Sequence, residues 1–82
     1  MYEERKPMRR SQARALEHND SCRFFADTAA AWTIAGDRAR ADRFSKMAQI
    51  EALCSRALEY GSWVYWDEAC EMARAAGLPV PK

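Results

Sequence analysis

The sequence contains few of the residues that build sheets, break helices or carry catalysis. Its 82 residues include three glycines, three prolines, one histidine and no Cys-x-x-Cys pair. Valine, isoleucine and threonine are scarce, and no alternation of apolar and polar residues predicts a strand. No run approaches the roughly 18 consecutive apolar residues of a membrane span, and no apolar segment follows the first charges as in a signal peptide. We therefore expect neither a sheet nor a membrane association.

Alanine and a few large rings replace the usual aliphatic core. Leu, Ile, Val and Phe together number eleven, whereas alanine occurs sixteen times and tryptophan three times. Low aliphatic content indicates disorder only together with a large net charge, and here the formal net charge is +1. The composition predicts a small folded domain with a thin core. Such a core favours burial against a partner or a second copy of the chain.

Helical periodicity predicts an all-α fold, a compact bundle of three or four helices. Pro7 and Ser11 are expected to open a first helix that ends near Glu17, because Asn19, Asp20 and Ser21 favour a break and a new N-cap. The further helices are predicted at about 22–35, 38–60 and 62–77. The third of these four is long and apolar on two sides, so it is expected at the centre. The predicted organisation is a flexible N-terminal tail (1–7), one helical domain (8–78) and a C-terminal tail (79–82).

One segment resembles a tetratricopeptide helical hairpin. Phe25, Ala29 and Trp32 match the first helix of that motif, Gly36 its turn, and Ala41 and Ala48 the small residues of its second helix. The aromatic position of the motif falls on Ser45, with Phe44 one place early. No second copy follows. The resemblance implies a hairpin geometry and a tendency toward protein binding.

The histidine and the cysteines are the only candidates for a metal site. His18 and Cys22 are four residues apart, and Cys54 and Cys70 complete the Cys3His set of structural zinc. Each cysteine, however, lies on the apolar face of its predicted helix, where a free thiol behaves as a small hydrophobe. We expect packed thiols, no metal and no cofactor, with His18 at the surface or at a helix cap. Reduced thiols favour the cytoplasm.

An aromatic cluster around residue 63 is the first candidate contact surface. Four aromatic residues fall within seven positions and cannot all point into the core from one helix start. Trp66 is expected in the core, whereas Tyr65 projects toward the side of Met72 and should be at least partly exposed. Tryptophan and tyrosine are enriched at binding hot spots. The candidate protein-binding residues are Tyr60, Trp63, Tyr65 and Met72. The alternative, that the rings only complete a small core, stays open.

Two basic blocks form the second candidate surface. They contain the arginines with which the chain would contact nucleic acid or an acidic partner: Arg5, Arg9, Arg10, Arg14, Arg40 and Arg43. Adjacent blocks could follow a phosphate backbone. No helix-turn-helix pattern accompanies them, and the overall charge is close to balance.

The sequence therefore predicts a non-enzymatic protein that acts by stoichiometric protein–protein binding. No nucleophile or carboxylate is placed to work with His18, and no glycine-rich phosphate loop occurs. Small size and an excess of arginine over lysine suggest a phage or mobile-element inhibitor of a host complex, in the manner of anti-CRISPR proteins. The alternative is a nucleic-acid-binding accessory or regulatory protein that uses the basic N-terminal segment.

Overall fold

The computed structural model describes residues 5–82 and is helical without a strand in that range. It contains three helices, α1 (Gln12–Ile34), α2 (Arg38–Tyr60) and α3 (Trp63–Ala76). Along the described chain, none of these helices is both long and apolar enough to cross a membrane. The all-α prediction is confirmed.

The predicted break near residue 20 is wrong, because α1 continues without interruption through Asn19, Asp20 and Ser21. These residues have only modest penalties inside a helix, and none of them is a proline or a glycine. The packing of α1 against α2 outweighs the weak preference of these three residues for a helix end. The long central helix predicted as the third is consequently the second of three, and it packs against both α1 and α3.

The helix ends follow the local chemistry of the chain. The Ser11 hydroxyl caps α1 by accepting from the backbone N–H of Arg14, and Asp37 caps α2 by accepting from that of Arg40. Gly61 ends α2 in the left-handed conformation with φ 65°, which a residue without a Cβ adopts at little cost. These ends place α1 and α2 in an antiparallel hairpin and turn the chain directly into α3.

Hydrogen bonds and side-chain contacts connect α1 to α2 at both ends of the hairpin. Near its open end, the N–H of Ser11 donates to the carbonyl of Leu58, and the Ser55 hydroxyl donates to the carbonyl of Ala15 at 2.8 Å. Near its closed end, the rings of Phe25 and Phe44 lie 6.1 Å apart. Small residues let the two helices approach closely, and Ala29, Ala41 and Ala48 are buried along this seam.

The main core lies only at the open end of the hairpin, where α3 joins it. It is formed by buried residues of all three helices together with the C-terminal segment: Ala15, Ile50, Cys54, Ala57, Leu58, Trp66, Ala69, Cys70, Ala73 and Leu78. The closed end projects beyond this core, so that the molecule measures 46 × 30 × 14 Å. Its side chains include the exposed Phe24 and Ile34.

Candidate protein-docking face

The aromatic cluster surrounds the turn between α2 and α3, and the structure separates its rings. Trp66 is in the core at 8% exposure, as predicted from its helical face. Tyr65 is half-buried and packs against the core, whereas Tyr60, at the end of α2, is 56% exposed. The predicted partial exposure of Tyr65 is confirmed. The four rings therefore lie in different environments and do not form a single exposed patch.

The Trp63 ring is in contact with the N-terminal segment. Its indole N–H donates to the backbone carbonyl of Lys6 at 2.7 Å, and the guanidinium of Arg5 lies 4.4 Å from the ring centroid. Arg5 also donates to Asp67 Oδ1 at 2.9 Å. This hydrogen bond is the main cause that lowers the pKa of the Asp67 carboxyl from its ordinary value. Residues 5–7 of the predicted tail thus lie against α3, while residues 1–4 are outside the described part.

The rings of Tyr60 and Tyr65 form a tilted pair on the other flank of α3. Their centroids are 6.1 Å apart with an interplanar angle of 41°. Met72 lies two helical turns after Tyr65, so the two side chains share a face of α3. Met72 is half-buried and also packs against the core. Three of the four predicted contact residues consequently fall along one flank, and Trp63 falls on another.

A groove of about 270 Å³ lies between α2 and α3 on the Met72 flank. It is lined by Gln49, Ala52, Leu53, Arg56, Glu68 and Met72. Leu53 and Met72 supply apolar side chains, while Arg56 on α2 and Glu68 on α3 are exposed and of opposite charge. Together with Tyr60 and Tyr65, this groove makes up what we call the docking face.

Sequence reasoning missed the contribution of α2 to the docking face. Leu53 was recognisable as part of the wide apolar arc of the helix at 38–60, an arc that one partner helix cannot cover completely. Nothing in the sequence indicated which part of that arc would remain uncovered. The uncovered part of the arc is determined by where α3 packs against α2.

The two basic blocks lie far apart. Arg9, Arg10 and Arg14 are exposed around the open end of the hairpin, near the start of α1. Arg40 and Arg43 lie near the start of α2, at the closed end, where the Arg40 guanidinium is 4.5 Å from the Trp32 ring centroid. A helix rises about 1.5 Å per residue, so roughly 20 Å or more of helix separates the two blocks. The structure does not bring them into one continuous surface.

His18 is only partly exposed and does not cap a helix, which corrects the prediction of a fully solvent-exposed or capping histidine. It is half-buried in the middle of α1, where Nδ1–H donates to Glu51 Oε2 on α2. Its ring also meets Trp66 of α3 edge-on, with centroids 6.2 Å apart. The misplaced break near residue 20 explains the error, because a helix end would have left His18 in solvent.

The three thiols are free, and they belong to different helices. Cys54 and Cys70 are buried, whereas Cys22 is half-buried. Burial, with further electrostatic contributions from Glu51 and Cys70, raises the pKa of the Cys54 thiol to about 12. Within residues 5–82, no three His, Cys, Asp or Glu side chains are grouped closely enough to hold a metal ion.

No buried polar or charged side chain lies in the described part of the chain, and every buried side-chain nitrogen or oxygen there has a hydrogen-bond partner. The polar and charged side chains of this part are thus all at least partly exposed. Comparison of the chain with known protein families, curated proteins and solved structures gives no match.

Proposed function

We propose that this protein is a non-enzymatic binding module whose docking face receives an amphipathic helix of a partner protein. The observation that supports it is the uncovered groove between two packed helices, with apolar Leu53 and Met72 along it. Exposed Tyr60 follows Leu53 by about two helical turns on the same face of α2. Helix-in-groove recognition uses such a surface, with anchors repeated at one face of the incoming helix. The small core would gain stability from the added layer.

The dimensions and charges of the groove define the incoming helix further. The 14 residues of α3 correspond to about 21 Å of helix, which matches a partner helix of roughly four turns. Arg56 and Glu68 offer opposite charges on the two sides of the groove. A partner helix with an apolar stripe, an acidic residue on the α2 side and a basic residue on the α3 side would complement both.

The proposed biological setting is that of a phage or mobile-element inhibitor that occupies a surface of a host complex in the cytoplasm, as anti-CRISPR proteins do. Its support is the small size, the excess of arginine over lysine and the three free thiols, which suit a reducing compartment. A second copy of the chain on the docking face would be a homo-oligomeric form of the same binding mode.

The test compares proteins captured from a nuclease-treated host lysate by the wild type and by surface variants. Tyr60→Ala with Arg56→Glu removes an exposed ring and reverses a rim charge without entering the core. Val64→Ala with Arg23→Glu is the matched control, because Val64 is 73% exposed on α3 but lines no part of the groove, and Arg23 is exposed on α1.

A specific partner should be retained by the control pair and lost, or weakened at least tenfold, by the docking-face pair. Equal capture by both pairs would contradict the proposal. If sedimentation instead shows a dimer that the docking-face pair dissociates, the occupant is a second copy.

The second candidate function is nucleic-acid binding by the basic N-terminal segment. The observation in its favour is that Arg9, Arg10 and Arg14 are exposed and form no salt bridge with a described carboxylate. Arg9→Glu with Arg10→Glu should leave protein capture intact if the docking face is responsible. Loss of activity in this pair alone, together with a steep weakening of binding as salt rises, would favour the nucleic-acid function.

A further inference from the structure

A separate cleft of about 300 Å³ opens where the N-terminal segment meets α1 and α3. It is lined by Lys6, Pro7, Met8, Arg9, Arg14, Leu58, Trp63, Trp66 and Lys82. None of these residues lines the groove of the docking face. The cleft is therefore a distinct feature of the molecule, and it can be tested independently of the proposed function.

The floor of the cleft is apolar and aromatic. Leu58 and Trp66 belong to the buried core, and Trp63 and Met8 are half-buried and pack against it. The Trp63 indole is held by its hydrogen bond to the Lys6 carbonyl, so its orientation is fixed by the fold. Apolar walls with a few placed polar groups are typical of small-molecule sites. A flat ring would find two indoles and a leucine on this floor.

The charged side chains that line the cleft are all of one sign. Lys6, Arg9, Arg14 and Lys82 all line it and are exposed, and no aspartate or glutamate does. Within the described residues none of these four forms a salt bridge, whereas Arg5 on the same segment is paired with Asp67. Like charges beside a low-dielectric wall repel one another and create a positive potential that attracts an anion.

We propose that this cleft binds a small organic anion, a carboxylate, sulfonate or phosphate carried on one or two fused aromatic rings. The ring would lie against Trp63, Trp66 and Leu58, and the anionic group would face Arg9 and Arg14. The volume is at the lower end of the range for ligand pockets, which limits the apolar body to about that size. The guanidinium groups can each donate two parallel hydrogen bonds to such an anion.

The experiment uses the wild-type chain and three probes that separate the two halves of the proposed recognition. The first is 2-naphthoate, which has both the ring and the charge. The second is 2-naphthalenemethanol, which keeps the ring but is neutral, and the third is inorganic sulfate, an anion without a ring. Binding is measured by calorimetry and by the indole N–H resonances. Trp63 and Trp66 line the cleft, and Trp32 at the closed end of the hairpin is an internal control.

We expect saturable one-to-one binding of 2-naphthoate that shifts the Trp63 and Trp66 resonances and leaves that of Trp32 unchanged. The neutral alcohol should bind at least tenfold more weakly, and sulfate should not reproduce the shifts. Arg9→Gln with Arg14→Gln should weaken 2-naphthoate binding at least tenfold. Arg38→Gln with Arg43→Gln, which removes the same charge from exposed positions on α2, should change it less than twofold.

Several results would overturn this assignment. Equal binding of the alcohol would leave no role for the charges, and equal shifts with sulfate would leave none for the ring. A similar loss in both arginine pairs would indicate a general charge effect. Displacement of 2-naphthoate by a single-stranded oligonucleotide at lower concentration would identify the cleft as part of a nucleic-acid surface. The comparison of the three probes is made on the wild type, so that part of the test does not depend on whether a variant folds.

Discussion

His18 joins α1 to α2 through a hydrogen bond from its Nδ1–H group to the Glu51 carboxylate. Both side chains are about one quarter exposed, so water only partly screens this contact. The ring of His18 also stands nearly perpendicular to Trp66, at an interplanar angle of 87°. The single histidine of the chain therefore touches all three helices at the place where the main core begins.

Replacement of His18 by alanine should lower the free energy of unfolding by about 1–3 kcal/mol, because Glu51 loses its partner in a half-buried place. Thermal and urea unfolding followed by circular dichroism would measure the loss. Glu59→Gln, on an exposed position of α2, is the control and should change stability by less than about 0.5 kcal/mol. A double-mutant cycle with Glu51→Gln should show coupling, and strictly additive effects would contradict a direct interaction.

The sequence indicates where the helices end better than it indicates which surfaces stay uncovered. Gly36, Gly61 and Gly77 mark the ends of α1, α2 and α3, because at each the backbone has a positive φ that favours glycine. Trp66 could be assigned to the core from its spacing to Ala69 and Ala73, since helical periodicity alone decides which face is apolar. These features depend on neighbours within a few positions of the chain.

The features that sequence reasoning missed depend on distant contacts. The continuity of α1 through Asn19 follows from packing on α2, which outweighs a weak local preference. The groove beside Leu53 follows from the place where α3 covers α2. The cleft near Arg14 exists because residues 6–9 return to α3, and no pattern in that segment indicated its position. Placement of the face and the cleft therefore needed the three-dimensional structure.

The thiols should differ sharply in reactivity, because the thiolate is the nucleophile. A pKa of about 12 leaves the Cys54 thiol almost entirely neutral at pH 8, with a thiolate fraction of roughly one in ten thousand. In the native protein, iodoacetamide should modify the half-buried Cys22 first, and Cys54 only after unfolding. Intact mass and peptide mapping would show this order. Cys22→Ser should abolish the fast adduct, and rapid native labelling of Cys54 would refute its burial.

The contact between Arg5 and Asp67 should make the attachment of the N-terminal segment depend on pH. Because the pKa of Asp67 is lowered in the folded state, its contribution is complete above the ordinary aspartate pKa and is lost as the pH falls through the folded value. The Trp63 indole N–H resonance should therefore move during acidification, while circular dichroism confirms that the helices persist. Asp67→Asn should remove this transition. A transition unchanged in the variant would assign it to another group.

The segment that covers the end of α2 can be tested through a glycine pair. Gly61 and Gly77 have almost the same backbone angle, φ 65° and 67°, so an alanine at either site incurs a similar strain of about 1–2 kcal/mol. Only at Gly61 would the new Cβ meet another part of the chain, 2.9 Å from the Met8 carbonyl oxygen and 3.1 Å from the Arg10 side chain. At Gly77 it would meet nothing within 4 Å.

Gly61→Ala should consequently be less stable than Gly77→Ala, and the excess measures how firmly residues 8–10 are held against the turn. It should also displace the segment and change the Trp63 indole resonance, because Lys6 accepts the hydrogen bond from that indole. Urea unfolding and a nitrogen–proton correlation spectrum would report both effects on the same samples. If both variants are destabilised equally and the Trp63 resonance is unchanged, residues 8–10 move away from the new Cβ at no measurable cost in stability. The floor of the cleft would then not be held by this contact, and its fixed geometry would have to come from Trp66 and Leu58 alone.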